Sequence, residues 1–315
     1  MKILYLDNRR YGYNSNIHLD YIASMQNKHT VIGVGNHLDK KIKISFKESN
    51  DLKAQLDKII LKHRPDIFLT YNPGGNNIAR LKLYEDIIYH IKIPKFHIST
   101  DYARYEFQKN QAMWFSDLGY SAAIFRHKAS LKHPLDIPKY WLPFSFSEKD
   151  YKTHSCSNIY RKHTKVSFVG AYETATRLYK KRIAAISHLK SKKLLRESKS
   201  RIVGEDFIKF WSSGLFGLTC GGTSNYFVAK HIQIPASYSM LICDDETEGI
   251  ELFPRDSYIT YNIDNLDKLY DDIIWHIKHL KETEQKIYAM HKYVTKKHTN
   301  KASVRRFERI VKEVI

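Results

Sequence analysis

One segment in the second half of the chain, GLTCGGTSNYFVAKH, contains residues suited to binding a phosphate group. Gly221 and Gly222 predict a turn, and Thr223 and Asn225 can cap a helix that begins there and donate hydrogen bonds. Lys230 falls on that predicted helix, and an ammonium near other cations is a suitable partner for a diphosphate. The alternative, a solvated surface lysine, stays open.

A second candidate lies upstream, in VSFVGAYETATR. Gly170 comes directly after a strand-like run, and Arg177 falls in the first turns of the helix that follows. The free N–H groups and partial positive charge of a helix N-terminus favour a phosphate. We therefore expect Gly170 and Arg177 to contribute to an anion site.

A candidate general base, Asp101, follows the apolar run IPKFHIST. A carboxylate just beyond a strand can take a proton from a hydroxyl nucleophile. A plain helix N-cap would have the same sequence, so both interpretations remain open.

Two more loops follow strand-like runs in the first half. One contains Arg10 and Tyr11, and the other, NPGGNN, contains Asn72 and Gly74. Ligands of open parallel sheets bind beyond the carboxyl ends of the strands, where these loops are expected. Ordinary turn chemistry is the alternative for the second loop.

Alternating strand and helix patterns position these residues. KILYL, HTVIGVG, PDIFLTY, IPKFHIST, SAAIFRH and KYWLPFS predict strands, with helices between several of them. The runs are apolar throughout, as in strands covered on both faces by helices. The first half is therefore predicted to be a parallel α/β domain.

The same alternation restarts after a polar stretch near residue 150. KVSFVG, LFGLTC, SMLICDD and SYITYN predict strands, and helices are expected from about Thr176, over DFIKFWSS, from Tyr226 to Ile232, and over LDKLYDDIIWHIKHL. We expect two Rossmann-like domains, 1–150 and 151–315, that face a central cleft. The amphipathic tail predicts a helix that packs back on the first domain.

Positive charge is concentrated in one segment. The chain has 315 residues, and its 52 Lys and Arg against 33 Asp and Glu give a net charge of +19. Residues 1–150 carry 23 basic and 15 acidic side chains (+8), residues 151–200 carry 13 and 2 (+11), and residues 201–315 carry 16 and 16 (0). A solvated helix face is one explanation. The other is contact with a polyanion, either DNA or an anionic membrane or glycan surface.

Composition excludes several classes of protein. With 43% hydrophobic and 13% aromatic residues, the chain is neither disordered nor collagen-like. Its three cysteines show no paired spacing, which predicts free thiols in a reducing cytoplasm, no disulfide framework and no metal site. No apolar run is long enough for a transmembrane segment, so any membrane association is expected to be peripheral.

The sequence resembles group-1 glycosyltransferases of the GT-B fold, particularly the spore-maturation (CgeB-like) type. The similarity is most specific in VSFVGAYETATR, in FWSSGLFGLTCGGTSNYFVAKHIQIPASYSMLICDD and in TEGIELFPRDSYITYNIDNLDKLYDDI. It is looser in the first half, through HRPDIFLTYNP, IPKFHISTDYA and YWLPFSF. It covers nearly the whole chain.

The resemblance implies two Rossmann-like domains and a metal-independent transfer of a sugar from a nucleotide-diphosphate donor, expected to be a UDP-sugar. The donor would bind the second domain, at Gly170, Thr223, Asn225, Tyr226 and Lys230. The residues expected to act in catalysis are Asp101, Arg177 and Lys230, and those on the acceptor side are Arg10, Tyr11, Asn72 and Gly74. No prosthetic group is expected. Relatives in the wider retaining group carry two glutamates eight residues apart, and that pair is missing here.

Two acceptors fit the resemblance and the charge. One is an envelope or lipid-linked glycan, and the other is hydroxymethylated DNA, the substrate of phage-type DNA glycosyltransferases. A non-catalytic nucleic-acid- or carbohydrate-binding protein on the same scaffold is the alternative from another functional class, and the missing glutamate pair favours it.

Overall fold

Two parallel sheets with flanking helices make up the protein. The structure, a computed structural model, describes residues 1–7, 15–35, 49–72, 85–99, 115–170, 179–198, 202–222 and 225–315. The chain divides into two compact units. The first unit comprises Met1–Pro143 and Val304–Ile315, and the second comprises Phe144–Ser303.

The first unit contains a parallel sheet of six strands. They are β1 (Lys2–Asp7), β2 (Thr30–Gly35), β3 (Ile67–Asn72), β4 (Lys95–Ser99), β5 (Ala122–Phe125) and β6 (Lys139–Trp141). The strand order is β2-β1-β3-β4-β5-β6. Because β2 and β3 flank β1 on opposite sides, the chain reverses its direction of travel across the sheet at β1. This topological switch point is where open α/β sheets bind ligands.

Both faces of the first sheet are covered. Alternate residues of β1 enter different cores, Ile3 and Tyr5 on one face and Leu4 and Leu6 on the other. The helices of this part of the chain are α1 (Ser15–Gln26), α2 (Ser49–His63) and α3 (Glu85–His90), and a 3₁₀ turn spans Lys128–Lys132. Coverage on both faces explains why the central residues of β1 are apolar on both sides of the sheet and do not alternate with polar residues.

The C-terminal helix contributes to the core of the first unit. Val304, Phe307 and Val311 are buried in the same cluster as Ile3, and Phe307 contacts Phe96 edge-on with ring centroids 6.2 Å apart. These three positions are spaced by three and four residues, so they share one face of the helix.

The second unit contains a parallel sheet of five strands. They are β7 (His163–Phe168), β8 (Leu195–Glu197), β9 (Gly214–Leu218), β10 (Met240–Asp244) and β11 (Ile259–Tyr261). The order is β11-β10-β9-β7-β8, so the switch point lies between β7 and β9. The helices from here to the C-terminus are α4 (Glu148–His154), α5 (Lys180–Ser191), α6 (Gly204–Ser212), α7 (Lys230–Ala236), α8 (Leu266–Lys278), α9 (Leu280–Lys297) and α10 (Asn300–Val314).

Glycine allows the helices to pack closely on β9. A β-carbon at Gly217 would lie 2.7 Å from a side-chain carbon of Ile234 and 3.0 Å from the ring of Trp211. Both distances are shorter than carbon–carbon contact, so α6 and α7 can approach the strand only because this position has no side chain.

The α/β fold class and the strands predicted from sequence are confirmed, with two differences among the described residues. The predicted helix over Tyr226–Ile232 begins only at Lys230: Asn225 has a left-handed backbone (φ 52°), and residues 226–228 have no regular secondary structure. The short strand β8 and the helices α4 and α9 were not predicted. The expected helix start at Thr176 lies outside the described residues, and α5 is described from Lys180.

None of the described helices combines the length and the apolar character that crossing a bilayer requires.

Candidate functional site

The switch point of the second sheet brings together two glycine-containing loops. Gly170 comes two residues after β7, and Gly221 comes three residues after the neighbouring strand β9. Both therefore lie at the carboxyl edge of the sheet. A β-carbon at Gly221 would lie 2.6 Å from the backbone of Asn225 and Tyr226, so this turn requires glycine.

Lys230 reaches the end of β7 from the start of α7. Its ammonium donates a hydrogen bond to the carbonyl oxygen of Val169, and its Nζ lies 5.8 Å from the ring centroid of Phe168. A β-carbon on Gly170 would come within 2.7 Å of the same Nζ. The structure thus brings together Lys230 and Gly170, which are sixty residues apart in sequence. Lys230 is half-buried and is not a freely solvated surface lysine.

A second cation, Arg182 of α5, lies beside this pair. It is only 8% exposed, and one of its guanidinium nitrogens lies 3.8 Å from the position of a β-carbon on Gly170. Its guanidinium lies over the ring of Tyr179, 4.0 Å from the centroid, and its Nε donates to the sulfur of Cys220 at 3.3 Å. The sequence does not single out Arg182, because its basic run, YKKR at 179–182, fits a solvated helix face as well as an anion-binding surface.

Burial and a neighbouring positive charge lower the pKa of Lys230. Loss of hydration and then the nearby Arg182 lower the pKa of Lys230 to about 7, while the thiol of Cys220 acts weakly in the other direction. Among the described residues, no carboxylate forms an ion pair with Lys230. Lys230 and Arg182 therefore form a cationic site beside Gly170. A bound anion, above all a diphosphate, would offset the repulsion between the two positive charges.

Asn225 has a different role from the predicted helix cap. Its side-chain oxygen accepts a hydrogen bond from Lys181 Nζ (2.9 Å), and its amide nitrogen donates to Glu246 Oε2 (3.2 Å). Its carbonyl oxygen accepts from the backbone of Glu248 at 2.9 Å. Because α7 begins five residues later, Asn225 joins two loops at the sheet edge and does not cap the helix.

The loop after β10 is held by Asp244 and Lys181. Asp244 is fully buried, and its Oδ2 accepts hydrogen bonds from the N–H of Gly221 (2.8 Å) and the hydroxyl of Thr247 (3.1 Å). Its Oδ1 lies 3.4 Å from Lys181 Nζ. The carboxylate of Asp244 thus connects the loops that follow β9 and β10.

Glu246 offers a carboxylate to solvent. Its Oε2 lies 2.5 Å from Lys181 Nζ, and its side chain is 58% exposed. The hydrogen bond from Lys181 lowers the pKa of Glu246. Burial alone would lower the pKa of Lys181, but the hydrogen bond and charge of Glu246, together with Asp244, outweigh that effect and raise it. An oriented, ionised carboxylate of this kind can accept hydrogen bonds from sugar hydroxyls.

Tyr226 stands next to these loops, and its backbone N–H donates to the carbonyl of Gly221 at 3.0 Å. Its side chain is buried. Tyr226 is thus a buried residue bonded to the turn at Gly221, and its predicted contact with the donor stays a prediction.

Several predicted site residues lie outside the described part of the chain: Arg10, Tyr11, Gly74, Asp101, Arg177 and Thr223. Asn72 is the last residue of β3, which pairs with β1 at the switch point of the first sheet. Within the described ranges, no three His, Cys, Asp or Glu side chains are grouped so that they could hold a metal ion.

No family profile matches the sequence. A search of curated proteins found no match either.

Solved structures do match in fold over nearly the whole chain. A glycosyltransferase from Rickettsia africae ESF-5 is 12% identical with a TM-score of 0.65, and 99% of this chain and 98% of that chain are covered. An alpha-glucosyltransferase in complex with UDP and a 13-mer DNA is 10% identical with a TM-score of 0.68, covering 99% of each chain. Anabaena HepE in complex with UDP is 11% identical with a TM-score of 0.68, covering 99% of this chain and 100% of that one.

These matches confirm the predicted resemblance at the level of the fold, whereas the CgeB-like subfamily remains a prediction. The two parallel sheets with their helices give this chain the GT-B fold of glycosyltransferases.

Proposed function

We propose that the protein is a glycosyltransferase that moves a sugar from a nucleotide-diphosphate donor, a UDP-sugar, to a hydroxyl acceptor. The observation that carries this proposal is the meeting of Lys230 and Arg182 beside Gly170, at the switch point of the second sheet. Two of the matching structures, the alpha-glucosyltransferase and HepE, are complexes with UDP, which supports the same donor here.

The donor diphosphate is proposed to lie against Gly170. Without a β-carbon there, phosphate oxygens can approach the end of β7 and reach the ammonium of Lys230 and the guanidinium of Arg182. Arg177, seven residues after Gly170 in the sequence, is proposed to join them. Positive side chains in these positions would stabilise the charge that builds up on the departing diphosphate, the role a metal ion has in other transferases.

The nucleoside is proposed to lie toward the loops that follow β9 and β10. Glu246 would accept hydrogen bonds from the ribose hydroxyls, while Asn225 and Lys181 hold its carboxylate in place. Thr223, between Gly222 and Asn225, is proposed to donate a hydrogen bond to the donor from the same turn, and Tyr226 to support that turn by packing.

In the proposed reaction, the acceptor oxygen forms a bond to the anomeric carbon, and the bond from that carbon to the β-phosphate oxygen breaks. The electron pair of the broken bond leaves with UDP, and the proton of the hydroxyl passes to the carboxylate of Asp101. Lys230, Arg182 and Arg177 lower the barrier by stabilising the leaving group. Arg10, Tyr11, Asn72 and Gly74 are proposed to bind the acceptor.

For the acceptor we propose DNA with a hydroxymethylated base. The net charge of +19, of which +11 lies in residues 151–200, suits a polyanion. The matching alpha-glucosyltransferase has also been seen with DNA containing an HMU base, which supports the same class of acceptor. An envelope or lipid-linked glycan handled at an anionic membrane is the competing acceptor.

The donor half of the proposal is tested by thermal unfolding with a panel of UDP-, GDP-, ADP- and TDP-sugars. A donor at a hundredfold its Kd stabilises the native state by about 2.7 kcal/mol, so the expected result is a clear rise in Tm with UDP-sugars. The Lys230→Met variant should lose this rise, whereas Lys296→Met, at an exposed position on α9, should retain it. No stabilisation by any donor would favour the non-catalytic alternative.

The acceptor half is tested separately by incubating protein and donor with hydroxymethylated duplex DNA, unmodified DNA and a lipid-linked glycan. We expect transfer only to the hydroxymethylated duplex, with DNA affinity that falls steeply as salt rises. Transfer to the glycan alone would overturn the DNA acceptor while leaving the donor assignment intact.

A further inference from the structure

A cavity of about 360 Å³ lies at the amino-terminal edge of the first sheet. Its walls come from the end of α3, the connection to β4, and the turn before β5. Lys95 is the first residue of β4, whereas Ser99 ends that strand at the opposite edge. Four residue steps of about 3.3 Å separate the two edges by roughly 13 Å, so this cavity is distinct from the proposed acceptor loops.

The cavity contains a buried cation. Lys95 is only 5% exposed, and its ammonium donates one hydrogen bond, to the carbonyl of Ile88 at 3.0 Å. An ammonium has three N–H donors, and among the described residues no other acceptor and no carboxylate lies within bonding distance of this one. Burial, and secondarily the charge of Lys92, lowers the pKa of Lys95. A buried ammonium with a single hydrogen bond and no carboxylate partner is stabilised by an anion that binds to it.

Gly119 lines the cavity next to the ammonium of Lys95 and has no side chain to cover it. A β-carbon at Gly119 would lie 3.4 Å from Lys95 Nζ, and the backbone there is left-handed (φ +66°), a conformation that glycine adopts without strain. Lys95 and Gly119 both line the cavity, and a side chain at position 119 would lie against the ammonium that glycine leaves uncovered.

The rest of the lining defines the ligand. Ile91, Ile93, Pro94 and Leu118 make much of the wall apolar, and the exposed ring of Tyr89 flanks them. Lys92 adds a second cation, and Asp117 adds one carboxylate, so the lining carries a net single positive charge. Such a lining suits a monoanion with an apolar body better than a dianion. A volume of this size is in the range of small-molecule pockets.

We propose that this cavity binds a small organic carboxylate, whose carboxylate group pairs with Lys95 and whose apolar body lies against Ile91, Ile93 and Leu118. The site would be independent of the glycosyl-transfer site, since every residue of its lining belongs to the first unit and to the other edge of the sheet.

The experiment is an NMR titration of protein labelled at the isoleucine δ1 methyl groups. Benzoate, hydrocinnamate and octanoate are the probes, and benzamide and inorganic phosphate are the controls. We expect saturable shifts of Ile91 and Ile93 with the carboxylates and none at Ile242 or Ile273 of the second unit. Because hydrogen bonds to charged groups are the strong class, benzamide should bind about tenfold or more weakly.

Two lysine variants test whether Lys95 is the cation that binds the carboxylate. Lys95→Met should abolish the carboxylate response, whereas Lys58→Met, at an exposed site on α2, should leave it unchanged. Equal binding of benzamide, an equal response to inorganic phosphate, or no saturable shift at 10 mM-scale concentrations would each overturn the proposal. Since the comparison of benzoate with benzamide uses the unsubstituted protein, the test stands even where Lys95→Met fails to fold. Perturbation of Ile91 by UDP would show that the two sites are not independent.

Discussion

The Nζ of Lys230 occupies the space beside Gly170 that a side chain would need, since a β-carbon built there would lie 2.7 Å from it. The backbone of Gly170 has a φ of +150°, which residues other than glycine rarely adopt. Because the ammonium is at the end of a flexible chain, it would move before the backbone of β7 did. A substitution at Gly170 therefore acts chiefly by displacing the cation.

Gly170→Ala should weaken donor binding more than it weakens the fold. We expect the Kd for UDP-glucose to rise about tenfold, the equivalent of one weakened charge-assisted contact, as measured by calorimetry. Gly204→Ala is a matched control, because Gly204 also has a positive φ (+60°) but no atom lies within 4 Å of its β-carbon position. The control should lower Tm without changing the Kd. Equal Kd values for the two variants would contradict the assigned role of Gly170.

Donor binding should depend on pH through Lys230. Its pKa is about 7 in the free protein, and a bound diphosphate raises that pKa because it favours the charged form. Below pH 7 the ammonium is already charged, so the Kd is constant. Above pH 7 binding must take up a proton, and the Kd should rise by up to about tenfold per pH unit. A UDP-sugar is the probe, since its diphosphate stays ionised throughout this range.

Calorimetry at pH 8 in buffers of different ionisation enthalpy would measure the proton uptake directly, and we expect close to one proton per donor. Lys230→Arg keeps a charge at all these pH values, so this variant should bind donor with a flat pH profile. A slope that persists unchanged in Lys230→Arg would show that another group is responsible.

Most of the fold could be predicted from the sequence because the strands are buried on both faces. Runs such as ILYL (3–6) and MLIC (240–243) are apolar at every position, and coverage by helices on both sides explains that pattern. The strand β8, with the sequence LRE, was missed because it is short, half-buried and lies at the sheet edge. Nothing in such a segment distinguishes it from a loop.

The site was only partly predictable, for a different reason. The sequence predicts Gly170 and Lys230 as two separate phosphate-binding residues. Their contact arises because β7 and β9 are adjacent in the sheet, and local sequence does not encode that adjacency. Arg182 was missed because its burial results from packing against Phe168 and Tyr179. Charge in a basic run predicts exposure, and only tertiary structure shows which residue of the run turns inward.

Acid should destabilise the protein through His97. This residue is fully buried on β4, its Nδ1 lies 2.8 Å from the hydroxyl of Thr70, and burial lowers its pKa to about 3. Between pH 6.5 and 3 the unfolded chain binds a proton that the folded protein does not, so stability falls as pH falls through this range. From pH 7 to pH 5 the loss from this residue is about 2 kcal/mol.

Urea denaturation at pH 7 and pH 5 measures this effect. His97→Asn removes the titrating group and keeps a polar side chain near Thr70, so the difference in unfolding free energy between the two pH values should shrink by about 2 kcal/mol. A variant with the same acid sensitivity as the parent protein would exclude His97 as its source.

Glu246 should contribute to donor affinity through the ribose hydroxyls. Glu246→Gln keeps the shape of the side chain but replaces the charged carboxylate, whose oxygens accept these hydrogen bonds, with a neutral amide. The same substitution breaks the ion pair with Lys181. Since hydrogen bonds to charged groups are worth about 1.5–3 kcal/mol, we expect the Kd for UDP to rise at least about tenfold. The Kd for 2′,3′-dideoxy-UDP should barely change, because that ligand has no hydroxyl groups for Glu246 to bind.

Glu205→Gln separates this effect from the loss of a surface ion pair. Glu205 lies 2.9 Å from Lys209 Nζ on α6, and its 55% exposure is close to that of Glu246. Exposed pairs of this kind contribute little to stability, so Glu205→Gln should leave the affinities for both ligands unchanged. If Glu246→Gln weakened UDP and its dideoxy form equally, the carboxylate would act on the diphosphate site through Lys181, and the ribose assignment would be wrong.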